Sequence, residues 1–245
     1  MRSRKIPSRF PNLALFGALA PLSLVVTLGY SARAATIQTG QSTLAILTDK
    51  EGLAARLAHR HIIVASKWGG ELLLSKDGKL HTGLLPSATS GQATISIQVK
   101  DLLVDSPEAA LGIIGVFEAS KRWDVKTDKL EPGNAVEVRQ NMLDASQLNA
   151  DKFPSIDGIG KFSNCEKVSE LSLKCSLHLT LKIRGLQVVK EVPIELKREG
   201  ANIVAEFSIP YRFKEFGIKP YSAMFGAIAV KDEFFFAARI VATEP

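Results

Sequence analysis

Alternation with a period of two runs through most of this chain and limits what it can fold into. Ala93, Ile95, Ile97 and Val99 share one face of an extended segment, and Thr94, Ser96 and Gln98 share the other. Cys175, Leu177, Leu179, Leu181 and Ile183 alternate in the same way with Ser176, His178, Thr180 and Lys182. Val192, Ile194 and Leu196 form a third run, and Ile203, Ala205, Phe207 and Ile209 a fourth. A chain that puts every second side chain into oil and the next into water is a strand with one wet face. Less regular strand candidates lie at 43–47, 57–67, 70–75, 136–142, 158–165 and 233–241.

The runs are separated by turn-forming clusters, Lys-Asp-Gly-Lys at 76–79, Glu-Pro-Gly-Asn at 131–134 and Arg-Glu-Gly-Ala at 198–201. Connections this short cannot carry crossover helices, so the strands pair antiparallel. One stretch departs from the pattern. From Ser106, a helix cap, and Pro107, suited to a first turn, the sequence to about Asp124 reads as helix, with Leu111, Ile114 and Phe117 at helical spacing. A shorter helical candidate covers 144–150 and ends at Phe153-Pro154. An antiparallel sheet of this kind closes into a barrel or packs as a sandwich, and closure removes exposed strand edges. The segment Glu233 to Val241 is apolar on both faces around Phe234, Phe235 and Phe236. It is either a central core strand or a barrel strand whose outer face meets a covering helix.

Residues 1–34 have a different character. Arg2, Arg4, Lys5 and Arg9 precede an apolar stretch from Phe10 to about Leu28, broken by Pro11, Gly17 and Pro21, which ends in Ser-Ala-Arg-Ala-Ala at 31–35. A positive start, an apolar middle and a small-residue exit define a secretory signal cleaved after Ala34. The stretch is too short and too interrupted for a retained span of about 20 residues. The expectation is a periplasmic or otherwise extracytoplasmic protein, soluble and not membrane-spanning after cleavage, with residues 35–245 as a single domain. The charge follows the same division. The chain carries 31 basic and 25 acidic residues, and removing the five basic residues of 1–34 leaves 26 against 25. The basicity belongs to the signal, so nucleic acid is not an expected partner.

The only cysteines, Cys165 and Cys175, flank a turn that would place them opposite each other on a hairpin. In an oxidising compartment such a pair is expected to be bridged, with two separate buried thiols as the alternative.

The search for catalytic chemistry finds no nucleophile elbow, no zinc-binding His-Glu-x-x-His helix and no phosphate-cradling glycine loop. No enzyme activity, catalytic residue or cofactor is therefore expected. His59 and His61 flank Arg60 and would share one face of a strand, with His81 the nearest further ligand. That pair leaves a metal-binding protein open as a minority reading, and His178 reads as solvent-facing. The aromatics gather late in the chain at Phe207, Phe213, Phe216, Phe225 and Phe234 to Phe236. A small barrel lined by such side chains is a natural container for an apolar ligand.

Three segments carry a resemblance to a known family. They are Ala145 to Ile156 with its Phe153-Pro154 step, Leu177 to Leu186 followed by Val189 to Ile194, and Arg212 to Ile218 followed by Val230 to Glu233. In order and spacing the chain resembles the YceI-like polyisoprenoid-binding proteins over roughly residues 36–242. Arg184 stands where that family usually carries a histidine, and Gly160-Lys161-Phe162 replaces a more typical Thr-Phe step. The resemblance implies an all-β fold, an antiparallel eight-stranded lipocalin-like barrel with one or two short helices. It also implies an interior that holds the tail of an amphiphile such as an isoprenoid quinone or polyprenyl lipid.

The ligand-binding candidates are the alternating apolar faces: Ile95, Ile97, Val99, Leu177, Leu179, Leu181, Phe207, Phe234 and Phe236. Phe117 and Trp123 join them if the helix after Pro107 covers the entrance. The competing reading is an envelope-stress or interaction module with a filled barrel, and pairing of two copies into a homodimer stays open. Export makes a direct prediction. Intact mass and N-terminal sequencing of the protein recovered from the periplasm should give a chain that begins at Ala35; a retained Met1 would contradict cleavage.

Overall fold

A computed structural model describes residues 33–75, 90–126 and 128–243. Residues 1–32, which hold most of the signal expected at 1–34, the turn expected at 76–79 and His81 lie outside the described residues. The elements in chain order are β1 (Arg33–Ile37), β2 (Thr43–Glu51), β3 (Ile62–Ala65), β4 (Trp68–Ser75), β5 (Ser90–Gln98), β6 (Leu102–Val104), α1 (Pro107–Ala119) and α2 (Ala135–Leu143). There follow β7 (Ser155–Ser169), β8 (Ser172–Ile183), β9 (Leu186–Glu199), β10 (Asn202–Arg212), β11 (Ser222–Ala223) and β12 (Ile228–Thr243).

All strand pairs are antiparallel. Three of the pairs of short strands are single bent strands. β1 and β2 both lie against β12, joined by a turn at 38–42. β3 and β4 continue each other around residues 66–67, as do β5 and β6 around a single 3₁₀ turn, Val99–Asp101. The order β1-β4-β5-β7-β8-β9-β10-β12 returns to β1 through Thr36 opposite Thr243 and Ile37 opposite Ala242. The result is a closed eight-stranded antiparallel barrel, the architecture that the alternating runs and the family resemblance called for. Ser42 stabilises the bend beside the closure. Its buried hydroxyl donates to the Gln38 carbonyl and accepts from the Val241 N–H, both at 2.8 Å.

The alternating runs take up the faces read from the sequence. On β8, Leu173, Cys175, Leu177, Leu179, Leu181 and Ile183 are buried, while Lys174, His178 and Lys182 are exposed. Two glycines on the inner face of β7 give neighbouring side chains room. A Cβ on Gly158 would lie 2.6 Å from Ile95 Cγ1, and one on Gly160 would lie 3.1 Å from Leu177 Cδ1.

At one end the barrel wall splits, because among the described residues β6 pairs with β3 but with no strand on its other edge. Helix α2 occupies that side: Arg139 Nε donates to the Leu102 carbonyl at 2.9 Å, and its guanidinium also donates to the Lys100 carbonyl. A bare edge is thus capped by a side chain instead of a strand. The sequence reading of 136–142 as a strand is corrected here. Val136 and Val138 imitate a period of two, but Ala135, Val138 and Met142 pack on the core at helical spacing and Val136 is 71% exposed. The helix expected at 144–150 is instead a set of turns that follows α2.

Helix α1 begins as expected, with Pro107 in its first turn and the Ser106 hydroxyl accepting from the Ala109 N–H at 3.4 Å. Its buried stripe is Ala110, Ile113, Val116 and Phe117, while Leu111 is 76% exposed. The stripe lies on the outside of the barrel, against Ala45, Leu47, Ile62, Val64, Phe235 and Ala237. This second core explains why 233–241 is apolar on both faces: Phe234 and Phe236 point inward, and Phe235 meets the helix layer.

At the opposite end from the split, Cys165 and Cys175 form a disulfide across the β7–β8 hairpin. It closes a loop of 10 residues in sequence, for which loop entropy sets a stabilisation of about 2–3 kcal/mol. Replacing both cysteines with serine should lower the urea-unfolding free energy by about that amount. An unchanged midpoint would show that the hairpin is held by its ladder alone.

Candidate functional site

The barrel interior holds two apolar chambers stacked along its axis. The lower one, of about 80 Å³, is bounded by Leu44, Leu72, Ile95, Leu177, Leu179, Phe207, Phe236 and their neighbours. The upper one, of about 430 Å³, opens at the split end. Its walls are Ile46 and Thr48 of β2, Ile63 of β3, Val138 and Met142 of α2, Ile183 of β8 and Phe234 of β12. A further 3₁₀ turn, Phe213–Phe216, and the chain after it add Phe213, Phe216 and Ile218. A volume of this size lies in the range of about 300–1,000 Å³ typical of small-molecule sites, and the lower chamber does not reach it.

What separates the chambers follows from the order of residues along the strands. On β8, Leu179 faces the lower chamber and Ile183 the upper, and the fully buried Leu181 between them faces neither. On β10, Phe207 faces the lower chamber, while Ile209 and Tyr211 stand between it and Phe213. Ile97 of β5 occupies the same level. Leu181, Ile97, Ile209 and Tyr211 form a septum. Phe234 stands at its upper edge, 5.9 Å from the Tyr211 ring and 4.6 Å from the Phe213 ring. The Tyr211 hydroxyl is satisfied inside the wall by donating to the Leu179 carbonyl at 3.3 Å. Burial, with the nearby Glu215 charge, raises its pKa well above the usual tyrosine value.

The turn that carries Phe213 and Phe216 is held by a short electrostatic latch. Glu215 accepts from the Arg212 N–H at 2.8 Å and pairs with Lys190 of β9 at 2.7 Å. Burial works against the charged carboxylate, but the bonds from Lys190 and the Arg212 N–H outweigh it, and its pKa falls below the ordinary value near 4.5.

Polar groups collect at the mouth of the upper chamber. Lys50, His59 and His61 line it on one side, and Asn134, Glu137, Asn141 and Gln147 on the other. The most enclosed of these contacts is His61 with Asp105. The Asp105 carboxylate is fully buried, and it accepts from the Ile62 N–H at 2.9 Å through Oδ1. Its other oxygen lies 2.7 Å from His61 Nδ1. Asp105 engages Nδ1, so Nε2 is the imidazole nitrogen turned to another partner.

The sequence-derived candidates divide among these places. Ile95, Leu177, Leu179, Phe207 and Phe236 line the lower chamber, Phe234 lines the upper one, and Ile97, Val99 and Leu181 are buried core that lines neither. Phe117 and Trp123 line neither chamber, contrary to the expectation: both lie in the core beneath α1, on the outside of the barrel. The outer faces of β2, β3 and β12 are apolar enough to draw the helix onto the wall, and Trp123 is covered by the Arg60 guanidinium, 5.5 Å from its ring. His59 and His61 do reach the same chamber, but from a loop before β3, with His59 3.7 Å from Glu131 and His61 on Asp105. Among the described residues no group of three or more His, Cys, Asp or Glu side chains could hold a metal ion. His178 is exposed and pairs with Glu191 at 3.2 Å. Sequence reasoning gave no place in a site to Ile46, Thr48 and Met142, or to Ile218 of the family-like segment. Phe213 and Phe216 were visible as part of the family-like segment but had no assigned place.

Because the Glu215 pKa is lowered by folding, its latch contributes stability above the unfolded-state value and loses it as pH falls through the lower folded value. Urea unfolding at stepped pH should therefore show Glu215→Gln losing most at neutral pH and converging on the wild type below about pH 4.5. A constant difference across that range would contradict the latch.

No protein-family profile matches the sequence, and no curated protein sequence matches it. Solved structures do. BcnA of Burkholderia cenocepacia superposes with a TM-score of 0.53 at 14% identity, covering 84% of this chain and 99% of that one. A polyisoprenoid-binding domain from Saccharophagus degradans superposes with a TM-score of 0.52 at 8% identity, covering 88% and 100%. A YceI protein of Campylobacter jejuni also aligns, at 11% identity and a TM-score of 0.43, covering 75% and 84%. At such identities the likeness is one of fold, the closed β-barrel shared with BcnA and with the polyisoprenoid-binding domain.

Proposed function

We propose that this protein is an exported carrier that holds an apolar, isoprenoid-type amphiphile, with the tail in the upper chamber and the polar head at the mouth. The observation that carries the reading is the upper chamber itself, apolar in its depth and open where Lys50, His59 and His61 gather. Burial of tail surface contributes about 25 cal/mol per Å² removed from water, and the His61–Asp105 pair presents Nε2 to a hydroxyl-bearing head, which can donate or accept there. The barrel shared with a polyisoprenoid-binding domain supports the same class of ligand. The disulfide supports an oxidising, extracytoplasmic setting.

The septum limits how far a tail can enter. A short isoprenoid chain fits above Leu181, and a longer one must displace the side chains at that level. Native mass spectrometry with isoprenoid quinones of graded tail length should show one ligand per chain for the wild type. Met142→Trp, which fills the upper chamber from α2, should weaken uptake by about tenfold or more. Leu181→Ala should join the chambers and shift preference to longer tails, at a stability cost of about 2–5 kcal/mol. A wild-type barrel that takes up no quinone would defeat this reading and favour an interaction module with a filled interior.

A further inference from the structure

We infer that the mouth of the barrel docks on the surface of an anionic phospholipid bilayer, with Phe225 and Leu53 entering the interface. Two loops form this rim, one between β2 and β3 and the other at the tip of the β11–β12 hairpin. Phe225 is 112% exposed and Leu53 100%, with Met224 at 66%, Leu57 at 64% and Tyr221 at 45%. Isolated exposed apolar residues are ordinary, but a contiguous set around one opening marks an interaction site.

The rim is built to stay in place. The Ala54 N–H donates to the Ala227 carbonyl at 2.9 Å, which ties one loop to the other. Gly52, at φ +105°, allows that approach, since a Cβ there would lie 2.5 Å from the Ala227 carbonyl oxygen. Met224 and Phe225 both hold left-handed backbone, φ 50° and 57°, which non-glycine residues adopt only when their surroundings enforce it. Strain is thus spent on a tip that presents a phenyl ring to solvent.

Charge and position single out a bilayer among possible partners. Residues 52–58 and 217–230 carry Arg56 and Lys219 and no carboxylate. Apolar side chains flanked by cations suit the boundary between acyl chains and anionic headgroups. Leu57 and Tyr221 belong to both rim and upper chamber, so the docked surface opens directly into the cavity. A tail leaving the bilayer would enter without crossing water. Docking extends the carrier reading but does not need a bound ligand.

Fluorescence quenching tests the proposal on the full chain, using phosphatidylcholine–phosphatidylglycerol vesicles that contain a brominated acyl chain. The indole of Phe225→Trp should be quenched and blue-shifted after subtraction of the wild-type signal from Trp68 and Trp123. An indole from Leu171→Trp, exposed in the β7–β8 turn at the far end of the barrel, should be unaffected. The double variant Leu53→Ser/Phe225→Ser should lower vesicle partitioning by about tenfold or more, while quinone uptake from detergent is unchanged because neither residue lines a chamber. No quenching at position 225, equal quenching at both ends, or unchanged partitioning of the double variant would overturn docking and leave the rim to a protein partner. Loss of quinone uptake with docking intact would count against the carrier reading alone.

Discussion

β12 is the strand on which the remaining architecture depends. One of its edges pairs with β10 along eleven residues, from Asn202 opposite Thr243 to Arg212 opposite Glu233. Its other edge takes β2 and then β1, which closes the ring. Its inner face supplies Phe236 to the lower chamber and Phe234 to the upper one, and its outer face supplies Phe235 to the core under α1. Where it is paired on both edges and covered on both faces, at Phe234 to Ala238, β12 is buried throughout, which accounts for its run of three phenylalanines. Substitutions there would disturb closure, cavity and helix docking together, so the function is better probed at the periphery.

The interior is neither a continuous tunnel nor a filled core. Below the septum the side chains of Ile95 and Leu177 occupy the space left by Gly158 and Gly160, and little room remains. Above it the split between β6 and β7 prevents the walls from meeting. α2 packs beside β6, and the Phe213–Phe216 turn follows β10 on the chamber wall, without filling the space between them. The larger chamber therefore arises where strand pairing fails, which is also where loops bring polar and cationic groups. Cavity, headgroup chemistry and entrance coincide for one geometric reason.

Most of the barrel was legible in the sequence because period-two alternation is a local signal. β8, β9 and β10 could be read residue by residue, and the disulfide followed from two cysteines on one hairpin. α2 was misread because Val136 and Val138 are two apart and its short amphipathic face gives few repeats to set against that coincidence. Phe117 and Trp123 were misplaced for a different reason: α1 was correctly read as a helix, but which side of the wall it covers is a tertiary fact. The mouth was the least legible part. Its residues come from β2, β3, α2, β12 and the turn after β10, and no local pattern announces that these meet. The family-like segment at 212–218 marked the place without revealing its role.

The central claim is that the upper chamber holds the tail, and photolabelling tests it most directly. An isoprenoid probe with a diazirine at the end of its tail, irradiated with the protein and mapped by peptide mass spectrometry, should mark Met142 and the Phe213–Ile218 stretch. Competition by unlabelled isoprenoid should abolish that labelling. Labelling confined to the helix layer around Phe117, or spread over the surface without competition, would contradict the account.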